Sequence, residues 1–242
     1  MKEYLVRTEL TNKENAIRLV VKKAADGCDF GDADIYVKSS DKSGDFYVKY
    51  CLCYEKNAVG STCKTPSGEI VPLTWYNGSN GGFNRSNYRI KTAAICKRNG
   101  DSFEKLYDVL QQGEISMAFK EKFADNSAMA GDFVGGFHGD ENIKYNDGKP
   151  MVAMWLDGTP ISLDGREERA YEGGQLKFEQ TTLINRCNTP DVNIIEHSQS
   201  YTFDAKGMHN TQKAKFITSE YEEGGKYALD NGGSYLQMCT FW

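Results

Sequence analysis

The sequence predicts a mainly β protein, an antiparallel β-sandwich of the supersandwich kind with one short helix near residues 102–112. Three observations support this prediction. Aromatic residues make up 12% of the 242 residues and 24 residues are glycine, a composition typical of strands and turns. Apolar side chains recur at alternate positions in several segments, as they do in strands with one buried face. Turn dipeptides such as Asp157-Gly158 separate those segments.

The clearest strand signal lies between residues 33 and 56. Apolar side chains occupy alternate positions in ADIYVKSS and again in GDFYVKYCLCYEK, and the polar segment SDKSG separates the two. This pattern predicts a hairpin with one buried face. The segment before it, residues 3–23, alternates less regularly and fits either a strand or a short helix.

One helix is predicted in the segment DSFEKLYDVLQQG, residues 101–113. Asp101 can cap its first turn, Glu104 stands at the capping-box position, and Gly113 can end it. Four apolar side chains follow helical spacing: Phe103, Leu106, Tyr107 and Leu110. The next segment, EISMAFKEKF, changes to a period of two residues and predicts a strand.

The carboxy-terminal part predicts an antiparallel meander. MVAMWL and TPISL pair across Asp157-Gly158, and three more strand-like segments follow, residues 174–187, 192–207 and 208–218. Cysteines are frequent before residue 100 and rare after it. We therefore predict a β-rich, cysteine-containing region over 1–100 and a sandwich region over 101–242. The boundary is soft, and a single continuous domain is the alternative.

Composition excludes several classes of partner. The net charge is -5, and no basic cluster is available to neutralise a phosphate backbone, so no nucleic-acid partner is expected. No apolar run approaches the ~20 residues of a membrane span, so no membrane partner is expected. The first residues lack the apolar block of a signal peptide, which predicts a cytoplasmic protein or a component of a phage particle.

The seven cysteines do not have the spacing of a disulfide framework, and reduced thiols are the favoured interpretation. Cys51 and Cys53 would put two sulfur atoms on one face of a strand, with Cys63 and Cys96 as conceivable partners in a zinc site. Because Cys-x-Cys lacks the usual spacer of a structural zinc site, no metal site and no cofactor are predicted.

The first candidate site is the segment GDFVGGFHGDEN, where His138, Asp140 and Glu141 stand among glycines. His138 could act as a general acid with Asp140 or Glu141 as its partner or as a base. The same residues could bind a ligand without catalysis. The alternative is a glycine-rich turn whose carboxylates cap backbone N–H groups. The spacing of the three residues matches no standard set of metal ligands.

The second candidate site is the segment IIEHSQSYTF. In a strand, His197, Gln199 and Tyr201 share one face, while Glu196, Ser198, Ser200 and Thr202 share the other. A row of His, Gln and Tyr can bind a sugar, with Trp155 as an aromatic platform. The alternative is that His197 and Tyr201 are only cross-strand partners. No nucleotide-binding loop, nucleophile elbow or zinc-protease motif occurs.

Residues 113–242 resemble known proteins in three segments: GEISMAFKEKFADNSAMAGDFVGGFHGDE, MVAMWLDGTPISL and HSQSYTFDAKGMHNTQKAKFIT. They look like segments of uncharacterised bacteriophage tail-fibre proteins and related gut bacterial proteins. They also resemble the sandwich of galactose-mutarotase-like domains, which bind sugars on a concave sheet. In epimerases of that sandwich type, His and Glu perform acid/base chemistry, and His138, His197 and Glu141 are the residues here that could take those roles.

The resemblance implies a glycan-recognising or assembly module of a phage-like particle, of the tail-fibre or receptor-binding type. Its partners would be a cell-surface glycan and either further copies of the chain or other virion proteins. The first alternative is a carbohydrate-active enzyme, an epimerase or lyase, with His138, Glu141, His197 and Tyr201 as candidate catalytic residues. The second alternative is a purely structural virion protein. Whether the chain is an enzyme is left open, and a non-catalytic role is favoured.

Overall fold

The computed structural model describes residues 16–56, 86–110, 141–184 and 193–218 with their side chains. Elsewhere it describes the backbone of strand segments alone, at 62–64, 70–72, 116–123, 128–134, 185–186, 189–192, 227–229 and 235–237. All regular structure in these ranges is β-strand, so the predicted mainly β class is confirmed. No helix in this described part is long and apolar enough to cross a membrane.

Twenty strands occur in these ranges. In chain order they are β1 (Ile17–Val21), β2 (Ala33–Asp41), β3 (Gly44–Lys56), β4 (Thr62–Lys64), β5 (Ile70–Pro72), β6 (Ser86–Asn99), β7 (Ser102–Leu110), β8 (Ser116–Phe123), β9 (Ala128–Val134), β10 (Glu141–Ile143), β11 (Tyr145–Asn146), β12 (Lys149–Pro150), β13 (Val152–Leu156), β14 (Thr159–Ile161), β15 (Arg169–Gly173), β16 (Leu176–Arg186), β17 (Thr189–Asp204), β18 (Gly207–Phe216), β19 (Tyr227–Leu229) and β20 (Tyr235–Gln237).

Twelve of these strands form one sheet with two arms. The first arm has the order β15-β1-β2-β3-β6-β7, and the second arm contains β14, β13, β16, β17 and β18. Strand β10 joins the arms, because it pairs antiparallel with β16 and, through Asn142 and Ser86, in parallel with β6. The first arm therefore places β15, from beyond residue 100, beside the amino-terminal β1. The remaining strands form a four-stranded sheet and two short hairpins.

The sheet curls so that the inner faces of the two arms pack against each other. The ring centroids of Tyr88 and Phe178 lie 5.2 Å apart, and those of Tyr50 and Phe203 lie 5.3 Å apart. Aliphatic side chains such as Leu19 fill the rest of this core. Because β10 makes the twelve strands of the two arms one continuous curled sheet, the predicted β-sandwich of two sheets is not confirmed.

The predicted hairpins are confirmed where the sequence alternates. Strands β2 and β3 pair from Ala33–Leu52 to Asp41–Gly44, and β16, β17 and β18 form the predicted meander. Strands β13 and β14 pair across Asp157 and Gly158. Both turn residues have positive φ, 49° and 81°, as a two-residue type I′ turn requires.

The predicted helix near residues 102–112 is wrong. Residues Ser102–Leu110 form β7, which pairs antiparallel with β6; residues 111 and 112 lie outside the described part. The two strands are joined across Gly100 and Asp101, and Gly100 has a φ of 63°. A glycine at the first central position of a two-residue turn favours a hairpin, so Gly100 directs the chain back along β6. Pairing with β6 then overrides the local helix signal of residues 102–110.

Strand β7 also covers the face of β2 that the sequence left to solvent. Phe103 stacks on Tyr36 at a centroid distance of 3.9 Å and meets Tyr47 edge-on at 5.0 Å. Ile35 is buried in the main core, and its neighbour Tyr36 is buried on the opposite face of β2, under Phe103. The prediction of a single buried face for this hairpin is thus wrong for β2, because a second, smaller aromatic cluster packs on its other side.

Candidate functional site

Glu141 and His197 form a buried pair inside the second arm. Glu141 begins β10 and His197 lies on the inner face of β17, so β16 separates their strands. The imidazole Nδ1 lies 2.9 and 3.0 Å from the two carboxylate oxygens, and the residues are 1% and 0% exposed. The Thr182 hydroxyl of β16 donates a hydrogen bond to the same carboxylate, and its oxygen lies 3.3 Å from the His197 carbonyl oxygen.

The surroundings of the His197 ring favour its protonated form. Burial by itself would lower the pKa of His197, but the Glu141 carboxylate and the hydrogen bonds of the ring together raise it above the ordinary value. Nδ1 faces the carboxylate, and Nε2 lies 3.1 Å from Oε1 of Gln212. The raised pKa of His197 favours a ring with a proton on each nitrogen, which donates to both of these acceptors.

A ladder of buried amides continues from this pair towards the first arm. Gln180 donates 2.7 and 2.8 Å hydrogen bonds to the Tyr88 carbonyl and to Oε1 of Gln199, and its own oxygen accepts the Tyr88 N–H at 3.0 Å. Tyr201 donates to Gln199 Oε1 at 3.3 Å, and the Tyr88 hydroxyl donates to the carbonyl of Gly31 at 2.7 Å. These contacts tie β16 and β17 to β6, because Gln180 of β16 bonds both the Tyr88 backbone of β6 and Gln199 of β17.

This ladder places the residues of the predicted His-Gln-Tyr row inside the protein. His197, Gln199 and Tyr201 do share one face, as the alternation indicates, but that face is the core-facing one. An acid or base must reach the proton that it transfers, and a sugar-binding side chain must reach the sugar. The observed burial of these residues with Glu141 fits a structural role. This is the alternative interpretation of the segment, in which His197 and Tyr201 are only cross-strand partners.

The other residues of the first candidate site are described only in part. Glu141 is the one member of the GDFVGGFHGDEN trio within the described residues, while His138 and Asp140 lie outside them. Trp155 is half-buried on β13, directly opposite Lys177 of β16, whose ammonium lies 5.6 Å from the indole centroid. Trp155 is thus the predicted ligand-binding residue that stands on the outer face of the second arm.

The outer face of the second arm contains a polar groove of about 380 Å³. It is formed by two cross-strand rows, one of Glu179, Ser200 and Thr211 and one of Thr181, Ser198 and Lys213. Hydroxyl groups line the floor, and the Thr181 and Ser198 oxygens lie 3.3 Å apart. Short Ser and Thr side chains leave the space that longer neighbours would fill.

Charged side chains stand at both ends of this groove. Glu179 forms an ion pair with Lys177 at 2.7 Å. The same ammonium lies over the Trp155 ring, so Lys177 connects the groove to that ring. Lys213 is exposed at the opposite, β18 side. A carboxylate, an ammonium and four hydroxyl groups can donate to and accept from a neutral polar ligand, and among the described side chains that line the groove none is arranged as an activated nucleophile.

The cysteines occupy two environments. Cys96 is buried beside Tyr36 and Tyr47, as a small core residue. Cys51 and Cys53 lie together on β3 with their sulfur atoms 2.9 Å apart, both only half-buried. The side chain of Cys63 lies outside the described residues.

Sequence reasoning missed four residues of the groove, and it missed Gln180 and Tyr88 of the ladder. Ser198 and Ser200 were recognised as one face of β17, but Thr181 and Thr211 come from strands whose register a single sequence cannot supply. The repeated small hydroxyl residues in EQTT and SQS were the available signal, since neighbouring strands with small side chains on one face leave a depression.

Comparisons with known proteins assign no family to the chain: no family model, no curated protein and no solved structure matches it.

Proposed function

We propose that this protein is a glycan-recognising module and that the outer-face groove with Trp155 is its binding surface. The observation that carries the proposal is the hydroxyl-lined groove of about 380 Å³ beside an aromatic ring. Its size falls in the range of small-ligand sites, about 300–1,000 Å³. The resemblance of residues 113–242 to phage tail-fibre segments suggests a phage-like particle as the setting.

The polar chemistry of the groove fits a sugar. A sugar ring presents several hydroxyl groups, each of which donates and accepts hydrogen bonds. Ser198, Ser200 and Thr181 offer hydroxyl groups of the same kind, while Glu179 accepts and Lys213 donates. Charge of both signs at one groove favours a neutral or mixed-charge ligand over a polyanion.

Trp155 supplies the apolar complement. Its cross-strand partner Lys177 is two residues from Glu179 on β16, so the backbone of Trp155 lies about 8 Å from that of Glu179 at the edge of the groove. An indole ring offers a broad apolar face against which the C–H face of a pyranose can pack.

The enzyme alternative receives less support from the geometry. An epimerase or lyase needs an accessible acid/base pair, and the described candidates Glu141, His197 and Tyr201 are buried. Glu179 is the acidic group of the groove, and no histidine lines it. A binding role therefore accounts for the groove better, because it does not require an accessible acid/base pair.

The test is a glycan array probed with the full chain, followed by calorimetry on the strongest ligand. Ser200→Tyr fills the middle of the groove and is expected to abolish binding. Trp155→Ala is expected to weaken binding about tenfold, which corresponds to 1.4 kcal/mol. Trp155→Phe keeps a ring and should retain most of the affinity.

Ser40→Tyr is the matched control, because Ser40 is an exposed strand serine of the first arm, on β2. It should bind like the wild type. The proposal is abandoned if the folded wild type binds no glycan, or if Ser200→Tyr binds as well as Ser40→Tyr does.

A second candidate function, assembly with further copies of the chain, is favoured by β7. Leu106 and Tyr107 on this strand are 51% and 60% exposed, and Val109 beside them is exposed too. Within the described part of the chain, β7 pairs with β6 alone. An exposed apolar strand edge is a template for pairing with another chain, so β7 of two copies would extend the sheet.

The measurement is the molar mass of the full chain by light scattering over a range of concentrations. Self-association through β7 predicts a dimer that Leu106→Lys converts to a monomer, since lysine on an edge strand opposes pairing. Lys105→Leu, which adds an apolar residue to the same strand, should not weaken the dimer. A wild-type monomer at all concentrations excludes this second function.

A further inference from the structure

Two thiols stand side by side on β3 where the strand is irregular. Cys51 and Cys53 are two positions apart and share the face opposite the core residue Leu52. The register of β3 with β6 shifts between Cys51 and Leu52, because β6 carries an extra residue, Lys91, at this point. The two side chains turn towards each other, and their sulfur atoms lie 2.9 Å apart.

A carboxylate completes this group from the adjacent strand. Asp32 precedes β2, and its Oδ1 accepts the backbone N–H of Tyr54 at 2.8 Å. That bond orients the carboxylate, and its second oxygen is left for another partner. One carboxylate oxygen and the two sulfur atoms all lie within 4.8 Å of one another, and all three residues are half-buried.

The partners that the sequence suggested for these thiols do not include this carboxylate. Cys96 of β6 lies opposite Tyr47 of β3. Tyr47 is four residues from Cys51, which is about 13 Å along β3. Cys96 is therefore too distant to share an ion with Cys51. Asp32 takes the place of a third ligand instead, 19 residues before Cys51 in the chain.

We propose that Asp32, Cys51 and Cys53 form a three-ligand binding site for a thiophilic divalent cation, with Zn²⁺ as the expected occupant. Zn²⁺ accepts both thiolate and carboxylate ligands, in tetrahedral geometry, with Zn–S bonds of about 2.3 Å. In that geometry two bound sulfur atoms lie about 3.8 Å apart, so a small side-chain rotation from the observed separation suffices. The fourth position is left to water or an external ligand, because the group is only half-buried.

The charges around the group favour a cation once the thiols ionise. The Asp34 and Glu55 carboxylates stand near the three ligands and add negative charge to the group. A divalent cation removes this mutual repulsion, and one proton leaves each thiol as it binds. Arg89, the cross-strand neighbour of Cys53, pairs with Glu55 beside this group.

The experiment is a titration of the untagged full chain with Co²⁺, under reductant and after removal of metals by a chelator. Co²⁺ bound by thiolates has a charge-transfer absorption in the near ultraviolet and, in tetrahedral sites, strong visible bands. The wild type is expected to bind one Co²⁺ with both features and to exchange it for Zn²⁺. Native mass spectrometry then measures one Zn²⁺ per chain.

Three variants assign the ligands. Cys51→Ser and Cys53→Ser should each weaken binding more than about a hundredfold. Residues that only orient a metal ligand cost up to about a hundredfold in affinity, and loss of the ligand itself should cost more. Asp32→Asn should keep the charge-transfer band but weaken binding by at least about tenfold. Cys28→Ser and Cys96→Ser, two thiols outside the group, are the matched controls and should bind normally. Circular dichroism verifies that each variant is folded.

Two results would overturn the proposal. One is a charge-transfer band that survives in the Cys51→Ser/Cys53→Ser double variant. The other is a reduced, folded wild type that binds no Co²⁺; if its mass also falls by two hydrogens on oxidation, the pair is a redox dithiol instead of a metal site. Either result leaves the proposed glycan groove untouched, since the groove lies on the other arm.

Discussion

The His197 imidazole lies 2.9 Å from the Glu141 carboxylate, although 55 residues separate the two in the sequence and both side chains are fully buried. A buried charge is costly unless it is paired and hydrogen-bonded. Each member of this pair removes that cost for the other. The pair also joins β10 to β17 across β16, and β10 is the strand that connects the two arms of the sheet.

The first prediction concerns the protonation of His197. A nuclear magnetic resonance titration of the His197 ring should give a pKa above the ordinary histidine value of about 6.5, because Glu141 and the ring hydrogen bonds outweigh burial. In Glu141→Gln the carboxylate charge is gone and burial remains, so the pKa should fall below that of the wild type. An unchanged pKa in the variant would show that Glu141 does not control this ring. His209, exposed on β18, serves as the internal control.

The second prediction concerns pH and stability. A histidine whose pKa is raised by folding stabilises the protein fully below its unfolded pKa, and this contribution is lost as pH rises through the folded pKa. The difference in unfolding free energy between wild type and His197→Gln should therefore shrink as pH rises above the ordinary histidine pKa of about 6.5. Urea unfolding at several pH values measures it. A difference that grows with pH would contradict the sign.

The third prediction concerns the amide of Gln180. Gln180→Leu leaves the N–H and carbonyl of Tyr88 without their partner inside the core and removes one of the two hydrogen bonds to Gln199 Oε1. Each unsatisfied buried group costs about 1–3 kcal/mol, so we expect a loss of about 3 kcal/mol or more in unfolding free energy. Gln175→Leu, at an exposed position of the same region, should change stability by no more than about 0.5 kcal/mol. Equal effects of the two variants would argue against the ladder.

The fourth prediction concerns Gly31. A Cβ atom at this position would lie 1.9 Å from the carbonyl oxygen of Lys22, which is backbone and cannot move aside cheaply. Gly31→Ala should therefore lower the melting temperature clearly, with a cost of about 1–3 kcal/mol or more. Gly27→Ala is the comparison: Gly27 has a φ of 78° but nothing within 4 Å of the added atom, so only the backbone cost of about 1–2 kcal/mol applies.

Local patterns were sufficient for most strands and failed for β7. Strands β2, β3 and β16–β18 alternate in the printed sequence, and each forms where the alternation predicts it. In β7 the spacing of Phe103 and Leu110 equally fits a helix, and the capping residues reinforced that interpretation. The outcome depends on β6, whose unpaired edge takes up Ser102–Leu110 after the turn at Gly100. A partner strand is not visible in a local window.

The sequence by itself determined the strand class, the turns and which side chains of β17 share a face, because strand periodicity and turn chemistry are local properties. It left open which of those faces is buried. Only the curl of the sheet decided that His197, Gln199 and Tyr201 point into the core while Ser198 and Ser200 line a groove. The same curl brought Glu141 to His197, and strand pairing brought Asp32 to Cys51 and Cys53. Such long-range contacts depend on strand register and packing, and these are properties of the whole chain.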